Sequence, residues 1–492
     1  MKFIILFIII IFIQMQSDAS ISEYIESYTK YFDNDSYKTF TKVVKGQASI
    51  SDVEKQHILD NEISEELESK FIYTDLYECI KAAILNNYNI KISDAAKLES
   101  YWINKNALFQ ILPDLYYNYY IANLSGNYLV GGIVSDTTHE VPIQSIIGIE
   151  WSTYNQGKYL FYLKEANHIY KSTINNYEFT KEETILNTVL TYYDLLGIKR
   201  EIEVQKINLY DRVEQLKYTE ARFQAGIGTL YDVKRAQAEV AKAQQEYTET
   251  LYSLRLIQAR LANITGTDIL DALYPFEISI EARTLVDSNI NIEYLYNIAL
   301  NNRDDIKALE QEILALRAQR NTNYTDLLPS IEVSYQKGYV GTKRIGLSEN
   351  HSITLNVHTQ LGKNMLAGTF TQIKADTAAL SKKKLDLINL KRQIKEDILN
   401  SYYDSANYLK KIEASKIEVE AANTSLDLSV SNMKEGESTF IDVIASQNLK
   451  VQANLNLIKN MIEYNKVQTK LLFDIGILSP NNVLKDYKRR NY

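Results

Sequence analysis

A turn that occurs twice, inside two long segments without proline, restricts the fold of this chain more than any other feature. The sequence FQAGIGTLYDVKRAQ at 223–237 and the sequence MKEGESTFIDVIASQ at 433–447 share five residues at a constant offset of 210. Proline is absent from 143–274 and from 330–479, and glycine is rare there outside these turns. Because residues that end helices are scarce, each segment predicts two long helices joined by a reversing turn.

The predicted helices cover about 158–224 and 229–265 in the first segment, and about 369–434 and 439–475 in the second. In the helix after the first turn, apolar residues and glutamines recur in steps of three and four, with a second line of residues beside them. A helix with more than one contact face suits a wall of helices better than a two-stranded coiled coil. The first line is Leu230, Val233, Gln237, Val240, Gln244, Tyr247, Leu251, Leu254, Gln258 and Leu261, and the second is Ala236, Ala243, Ile257 and Ile264.

The duplication extends upstream of the long helices. The segment AAILNNYNIK at 82–91 parallels the segment IALNNRDDIK at 298–307. A repeat of this size is far longer than the roughly 20–50 residues of a solenoid repeat, so it indicates two copies of a domain-sized unit. The predicted boundaries are a first repeat over 71–275 with its turn at 225–229, a second repeat over 286–480 with its turn at 435–439, and a C-terminal tail over 481–492.

Alternating apolar and polar residues predict two strands in each repeat, between its shorter and its longer helices. In the second repeat, for example, Ile331, Val333 and Tyr335 alternate with polar residues. The segments between paired strands, roughly 125–142 and 341–350, carry Gly, Ser, Asp and Asn, which is typical of loops. The predicted strands cover about 114–124, 143–153, 330–340 and 351–361.

Strands of this length and pattern have two interpretations. Tilted strands of about 9–11 residues with one apolar face suit a membrane β-barrel, the only sheet that satisfies every backbone group in lipid. A barrel with a filled or open lumen needs about eight strands or more, so several chains would have to pool theirs. The alternative is a set of soluble hairpins packed on the helices. Aromatic residues at the strand ends, such as Tyr117 and Trp151, suit a membrane interface and favour the barrel.

The N-terminus has the form of an export signal. Lys2 precedes an unbroken run of Phe, Ile and Leu at 3–13, and small residues permit cleavage after Ala19. This run is too short to cross a bilayer as a helix, although an uncleaved anchor is the alternative. We therefore predict a signal peptide at 1–19, followed by an acidic and aromatic extension at 20–70 that is disordered or partly helical.

Composition argues against several classes of function. The formal net charge of −8 opposes a nucleic-acid partner, which requires a basic face. The single cysteine, Cys79, cannot form a disulfide framework or a thiolate metal site within one chain. The histidines are scattered, and the carboxylates follow helix surfaces without the spacing of a metal site or a catalytic site. We therefore predict no enzyme activity, no cofactor and no bound metal.

Together these features resemble the outer membrane efflux proteins related to TolC. The resemblance covers about 71–480 and rests on the duplicated unit, the paired LNN helix starts, Leu-Leu-Pro at 327–329, and the Gly-x-x-Thr-x-x-Asp-Val turns at 226–233 and 436–443. It implies a mainly α fold with a small β part. Long helical hairpins would form an α-barrel, and four strands per chain would contribute to a 12-stranded membrane β-barrel in a homotrimer.

The same resemblance implies a location, a function and partners. The protein would lie in the lipid of the outer membrane of a diderm bacterium and extend into the periplasm. It would be a passive exit duct for substrates delivered by an inner-membrane pump and a periplasmic adaptor. Small-molecule efflux and type I protein secretion both stay open, because selection usually lies in the pump. A different class, an exported periplasmic coiled-coil protein without a channel, explains the helices but not the strand pairs.

The resemblance also assigns roles to the two turns, which it places at the periplasmic tip of the tube. In the family, acidic residues just after the second turn narrow the closed tip; Asp442 matches that position, and Glu437 adds charge beside it. The alternative for Asp442 is a favourable interaction with the dipole of the first helical turn, and the alternative for Glu437 is a solvated side chain. The predicted adaptor-docking turns contain Gly226, Gly228, Thr229, Gly436 and Thr439.

Overall fold

The computed structural model describes most of the two repeats, and from Ile72 onward these residues belong to one compact unit. The predicted signal peptide, the extension at 20–70, Gly436 and the end of the tail at 485–492 lie outside the described residues. The described ranges are 71–122, 127–130, 133–136, 142–155, 157–277, 280–287, 290–325, 328–343, 346–358, 367–435 and 437–484.

Four long helices, arranged as two hairpins, dominate the described chain. The helices are α1 (Leu76–Asn86), α2 (Tyr88–Phe109), α3 (Lys158–Gln224), α4 (Leu230–Thr265), α5 (Ile292–Asn302), α6 (Asp304–Thr325), α7 (Thr369–Glu435), α8 (Phe440–Asp474) and α9 (Pro480–Val483). At about 1.5 Å per residue, α3 and α7 are each about 100 Å long. The hairpins α3–α4 and α7–α8 begin and end within one residue of the helices predicted from the sequence. Among the described helices, none combines the length and apolar composition needed to cross a bilayer.

The strands form three antiparallel or two-stranded sheets. They are β1 (Phe71–Thr74), β2 (Asp114–Ile121), β3 (Asn127–Val130), β4 (Ile133–Asp136), β5 (Pro142–Asn155), β6 (Ala272–Pro275), β7 (Ser330–Thr342) and β8 (Gly346–His358). The largest sheet has the order β2-β5-β7-β8, and all its neighbours are antiparallel. The pairs β1–β6 and β3–β4 form the two small sheets. The four strands of the large sheet are therefore those that the alternating sequence pattern indicated.

Helices and strands follow the same lateral order. The helices that adjoin the large sheet pack in the order α2, α3, α6, α7, and the strands that continue them lie in the order β2, β5, β7, β8. Farther from the sheet, α4 packs on α3, and α8 packs between α3 and α7. The described part of the chain is thus one continuous wall. One edge of this wall consists of α2, α4 and β2, and the other consists of α7 and β8.

Two segments expected to be loops contain strands. In 341–350, β7 continues to Thr342 and β8 begins at Gly346, so that the two strands are joined by a tight turn. A Cβ on Gly341 would lie 1.9 Å from the carbonyl oxygen of Gly346, which explains a glycine in the ladder rather than in a loop. In 125–142, β3 and β4 form a separate hairpin. Polar side chains concealed these strands because a backbone ladder can continue through them from a paired neighbour.

Polar side chains of the long helices hold the segment between the two repeats. The Nζ of Lys199, on α3, donates a hydrogen bond to the carbonyl of Pro275 at 2.9 Å. On α8, the Oε1 of Gln468 accepts hydrogen bonds from the N–H groups of Leu285 and Val286 at 2.9 and 2.8 Å. A buried segment without regular structure needs such partners for its backbone. The segment therefore ties the first hairpin to the second.

Equivalent positions in the two repeats close the hairpins at the end opposite to their turns. Asn87, between α1 and α2, donates from Nδ2 to the carbonyl of Ile264 at 2.8 Å. Arg303, between α5 and α6, donates from Nη1 to the carbonyl of Asp474 at 3.2 Å. Arg303 also forms a two-pronged ion pair with Asp305 at 3.0 and 2.7 Å. The paired LNN motifs thus bring a polar side chain to the last turn of α4 and of α8, where carbonyls lack helical partners.

Candidate functional site: the two hairpin tips

The first tip is a helix-ending turn that needs glycine. Gly226 has a φ of 74°, a left-handed conformation that a side chain disfavours. The N–H of Ile227 donates to the carbonyl of Arg222 at 3.1 Å, and the N–H of Gly226 donates to that of Phe223 at 3.0 Å. This pair of bonds is the Schellman motif. A Cβ on Gly228 would lie 2.9 Å from the backbone nitrogen of Phe223, so a side chain there collides with the end of α3.

The second tip closes with the same bond but different residues. The N–H of Glu437 donates to the carbonyl of Asn432 at 2.8 Å, at positions equivalent to Ile227 and Arg222. Ser438 occupies the place of Gly228, and its N–H also points to the carbonyl of Asn432, at 3.3 Å. The two turns therefore share a backbone solution, although only the first has glycine at this place.

The same capping box begins the second helix of each hairpin. Thr439 donates from Oγ1 to Asp442 Oδ2 at 2.6 Å, and the N–H of Asp442 donates back to Thr439 Oγ1 at 3.4 Å. Thr229 and Asp232 form the equivalent bonds at 2.6 and 3.2 Å. These bonds satisfy backbone donors that have no partner within the helix. Hydrogen bonds from the side chain and then the backbone of Thr439 hold the pKa of Asp442 below its usual range.

The carboxylate of Asp442 therefore has a local structural partner, as the first-turn interpretation expected. Asp232 has the same partner in the first repeat, so the capping geometry does not distinguish the two acids. A role for Asp442 or Glu437 in narrowing the tip stays a prediction.

The exposed surfaces of the two tips differ. At the first tip, Ile227, Leu230 and Tyr231 are between 55% and 69% exposed. At the second tip, Glu435 and Glu437 are exposed. The first tip thus presents apolar side chains and the second presents carboxylates, on turns with equivalent hydrogen bonds.

An open groove of about 720 Å³ lies between α7 and α8 beside the second tip. Its walls consist largely of small side chains, which allow another helix to approach closely. Sequence reasoning missed this groove, although Ala421, Ser425 and Ser429 recur at a spacing of four residues and could have indicated it. The lining residues that matter here are Ala421, Ser425, Ser429, Ser438, Asp442 and Ser446.

Two contacts join the first hairpin to the second above the tips. Arg212 on α3 is only 2% exposed, and its Nη2 donates to Asn448 Oδ1 on α8 at 2.7 Å. Nearer the sheet, a Cβ on Gly197 would lie 3.2 Å from Cγ1 of Ile462, which marks a close approach of α3 and α8. The lone glycine in a long helix was a visible signal for this approach, whereas nothing in the sequence pairs Arg212 with Asn448.

The large sheet, at the far end from the tips, has one apolar and one polar face. On one face of β7 and β8, Val333 pairs with Leu355 and Tyr335 pairs with Ile353. Leu355 and Ile353 are 66% and 79% exposed. On the other face, neighbouring residues are polar, as in the pair of Ser334 with Thr354. An exposed apolar face of this kind suits lipid, and a polar face suits a lumen.

The fold and the tips together define a class of protein. A sheet with an exposed apolar face continues directly into helical hairpins about 100 Å long, which end in compact turns. Such a subunit is built for a membrane channel whose helices project far beyond the bilayer.

Comparison with known proteins identifies the family. The model of the outer membrane efflux protein family matches residues 124–267 and 295–472, and the chain belongs to this family. Nodulation protein T of Rhizobium leguminosarum bv. trifolii is 22% identical over 413 residues, which cover 82% of each protein. The outer membrane efflux protein BepC of Brucella suis biovar 1 is 21% identical over 280 residues, covering 57% of this chain and 60% of BepC.

Solved structures agree on the fold. The outer-membrane channel OprN superimposes with a TM-score of 0.73 at 16% identity, covering 82% of this chain and 89% of OprN. The CmeC outer membrane channel of Campylobacter jejuni gives a TM-score of 0.74 at 15% identity, covering 84% of this chain and 88% of CmeC.

These findings confirm the family and the mainly α fold with a small β part. The protein is an outer membrane efflux channel that extends into the periplasm. The alternative of an exported coiled-coil protein without a channel is thereby rejected.

Proposed function

We propose that the channel is a homotrimer in which three copies close a 12-stranded barrel. The observation that carries this proposal is the common lateral order of strands and helices. In the described sheet, β2 and β8 are the edges, and an open sheet edge in lipid leaves backbone groups without partners. When β8 of one copy pairs with β2 of the next, α7 comes to lie beside the neighbour's α2 and α4. The same step that closes the β-barrel therefore closes the α-barrel.

Native mass spectrometry of the detergent-solubilised protein, together with planar-bilayer recording, tests this arrangement. We expect a species of three chains and single-channel conductance steps. A protein that forms only monomers or dimers, or that gives no conductance, would contradict the proposal.

The two turns form the docking surface for a periplasmic adaptor, which couples the duct to an inner-membrane pump. Gly226, Gly228 and Thr229 shape the first turn, and Ile227 and Tyr231 provide its exposed apolar contacts. Gly436 and Thr439 occupy equivalent positions in the second turn. The groove of small residues between α7 and α8 offers a second surface for an adaptor helix. Apolar anchors of this kind dominate binding energy at interfaces.

Binding of the purified adaptor from the same organism tests the docking surface. The double variant Ile227→Ser, Tyr231→Ser should bind about tenfold more weakly, a loss typical of one or two anchor residues. Tyr252→Ser is the matched control, since Tyr252 is 64% exposed on α4 but lies away from the tip. Equal binding by all three proteins would argue against this surface.

Asp442, with Glu437 nearby in sequence, forms the constriction of the closed tip. Under three-fold symmetry each acid becomes a ring of three carboxylates, which attracts cations and repels itself. The exposure of both side chains supports this role.

The substrate is a small molecule or a secreted protein, delivered by the pump. Deleting the gene and measuring both drug accumulation and the secreted proteins distinguishes the two. Increased accumulation with unchanged secretion identifies small-molecule efflux, and the reverse identifies type I secretion.

A further inference from the structure

We infer that the lipid-facing surface extends below the sheet onto the helix–strand junctions, so that Trp151 lies near the middle of the bilayer. The inference rests on the barrel proposed above. It concerns which residues meet the acyl chains and which meet the headgroups.

The apolar face of the sheet changes character partway along β7 and β8. Starting from the helical end, three rows are apolar, and the next two carry charge. The Nζ of Lys337 and the Oε1 of Glu349 form an ion pair at 2.8 Å on this face. The rows are Ile331 with Val357, Val333 with Leu355, Tyr335 with Ile353, Lys337 with His351, and Tyr339 with Glu349.

The apolar rows are too short for a bilayer. From Ile331 to Lys337 the strand rises about 20 Å. At a tilt of about 40° this is about 15 Å along the membrane normal, whereas the apolar band of an outer membrane barrel is about 25 Å tall. A lysine on the lipid side is tolerated at the interface and destabilising near the midplane. The row of Lys337 therefore marks the outer edge of the hydrocarbon layer, and about 10 Å is missing at the other edge.

Exposed apolar residues at the helix–strand junctions supply the missing height. We call this set the junction collar: Ile111 and Leu112 between α2 and β2, Leu160 at the start of α3, Leu328 before β7, and Phe370 at the start of α7. All five are between 42% and 49% exposed. Leu160 lies six residues beyond Tyr154, the partner of Ile331, which is about 9 Å of helix.

Missing neighbour chains do not explain the collar at its central positions. Leu160 and Leu328 belong to the junctions of α3 and α6, which lie inside the wall between α2 and α7. Their exposed side chains therefore face away from the wall rather than towards the next copy. Their position continues the lipid-facing side of the sheet towards the periplasm, which makes acyl chains of the periplasmic leaflet the partner of this surface.

The hydrogen bond of Trp151 fits a place in the hydrocarbon. Trp151 pairs with Val333 across the sheet and is 45% exposed. Its Nε1 donates to the carbonyl of Ile111 at 2.9 Å, so that the indole needs no water or headgroup partner. With the outer edge at Lys337, Trp151 lies about 10 Å inside a band of about 25 Å, close to its middle.

The competing placement immerses β7 as far as Gly341. It moves Trp151 to within about 5 Å of the periplasmic edge and places the Lys337–Glu349 pair inside the hydrocarbon. The two placements thus differ in the depth of one tryptophan.

Quenching by brominated phosphatidylcholine measures that depth. The chain has two tryptophans, so Trp102→Phe leaves Trp151 as the single fluorophore. In reconstituted vesicles we expect deep acyl-chain bromines to quench it more than shallow ones. Stronger quenching by shallow bromines would overturn the inference but leave the barrel intact. Absence of quenching at every depth would overturn the barrel as well.

Two further measurements complete the test. Trp151→Phe leaves Trp102, which lies nine residues before Ile111 on α2 and should be quenched by none of these lipids. A nitroxide on Leu160→Cys, with Cys79→Ser to remove the native thiol, should be more accessible to oxygen than to a water-soluble nickel chelate. The opposite accessibility, or equal quenching of Trp102 and Trp151, would overturn the collar.

Discussion

The first tip exposes Ile227, Leu230 and Tyr231, whereas the second exposes Glu435 and Glu437. Beneath these surfaces, the closing bond of the turn and the capping box of the following helix are equivalent. The duplicated units therefore retained the backbone bonds that permit reversal and diverged in the side chains that reach outward. Reversal tolerates few solutions because every unpaired backbone group costs stability, while exposed side chains are free to adapt to partners.

The opposite ends of the hairpins show a second difference. The first repeat closes with the neutral amide of Asn87, and the second closes with the guanidinium of Arg303. The ring of Phe473 lies under this guanidinium, 5.3 Å away. The second hairpin thus ends in a charged cluster that the first lacks, and matched variants can show how much each difference contributes.

The largest expected effect comes from this closure. Arg303→Ala should lower the local free energy of unfolding at the end of α8 by about 3 kcal/mol, because it leaves the buried Asp305 carboxylate unpaired. Asn87→Ala should cost the end of α4 about 1 kcal/mol, the value of a neutral hydrogen bond. Native-state hydrogen exchange of the last-turn amides of both helices measures the two losses. Equal losses would show that the charged cluster adds nothing.

The next effect is a pH dependence confined to the second hairpin. Burial raises the pKa of Asp474 to about 6, although a hydrogen bond from Ser401 opposes the shift. Since the folded state binds this proton more tightly than the unfolded state, the stabilisation is complete below about pH 4 and is lost as the pH rises through 6. The change should be about 2 kcal/mol per chain.

Thermal unfolding of the native protein and of Asp474→Asn between pH 4 and 8 checks this dependence. Burial, then Asp304, raises the pKa of Glu182 to about 7, which adds a slope of the same sign at higher pH. The difference between the two proteins isolates Asp474. Identical slopes would contradict the prediction.

A smaller effect is expected at the turns. Gly228→Ala places a Cβ against the backbone of Phe223 and should destabilise the first turn by about 1–2 kcal/mol. Ser438→Ala, at the equivalent position, should cost less than about 0.5 kcal/mol, because it removes only weak hydroxyl contacts at 3.4 Å. Hydrogen exchange of the Ile227 and Glu437 amides reports each turn separately. A loss of protection at both would show that the turns are less different than their residues.

The smallest effect separates gating from capping. Asp442→Asn and Asp232→Asn remove equivalent capping acids, so their effects on helix stability should match. Only Asp442→Asn should raise the conductance of the reconstituted channel and weaken block by divalent cations, by about threefold, the size expected of exposed charges. Planar-bilayer recording with calcium on the tip side measures both. Similar conductance and block in the two variants would leave Asp442 with its structural role alone.

Part of the packing was not predictable from periodicity. In α4, Leu230 belongs to the predicted apolar line but is 55% exposed, whereas Ala243 and Thr250 are buried. The helix meets α3 on one side and α1 on another, so the buried residues follow two partners rather than one. A periodic pattern identifies an amphipathic helix, but the neighbours decide which residues it buries.

The groove beside the second tip illustrates the same limit. Its small residues come from α7 and α8 together, and neither helix alone forms a cavity. The spacing of Ala421, Ser425 and Ser429 suggests a close approach without naming what approaches.

The sequence by itself determined where the long helices begin and end, because glycine, proline scarcity and threonine capping act within a few residues. It also determined the duplication and the alternating faces of the strands. Only the tertiary structure decided that Arg212 meets Asn448 and that Arg303 meets Asp474, contacts between residues 236 and 171 positions apart. Such pairs depend on how whole elements pack, and local chemistry carries no information about a partner so distant in the chain.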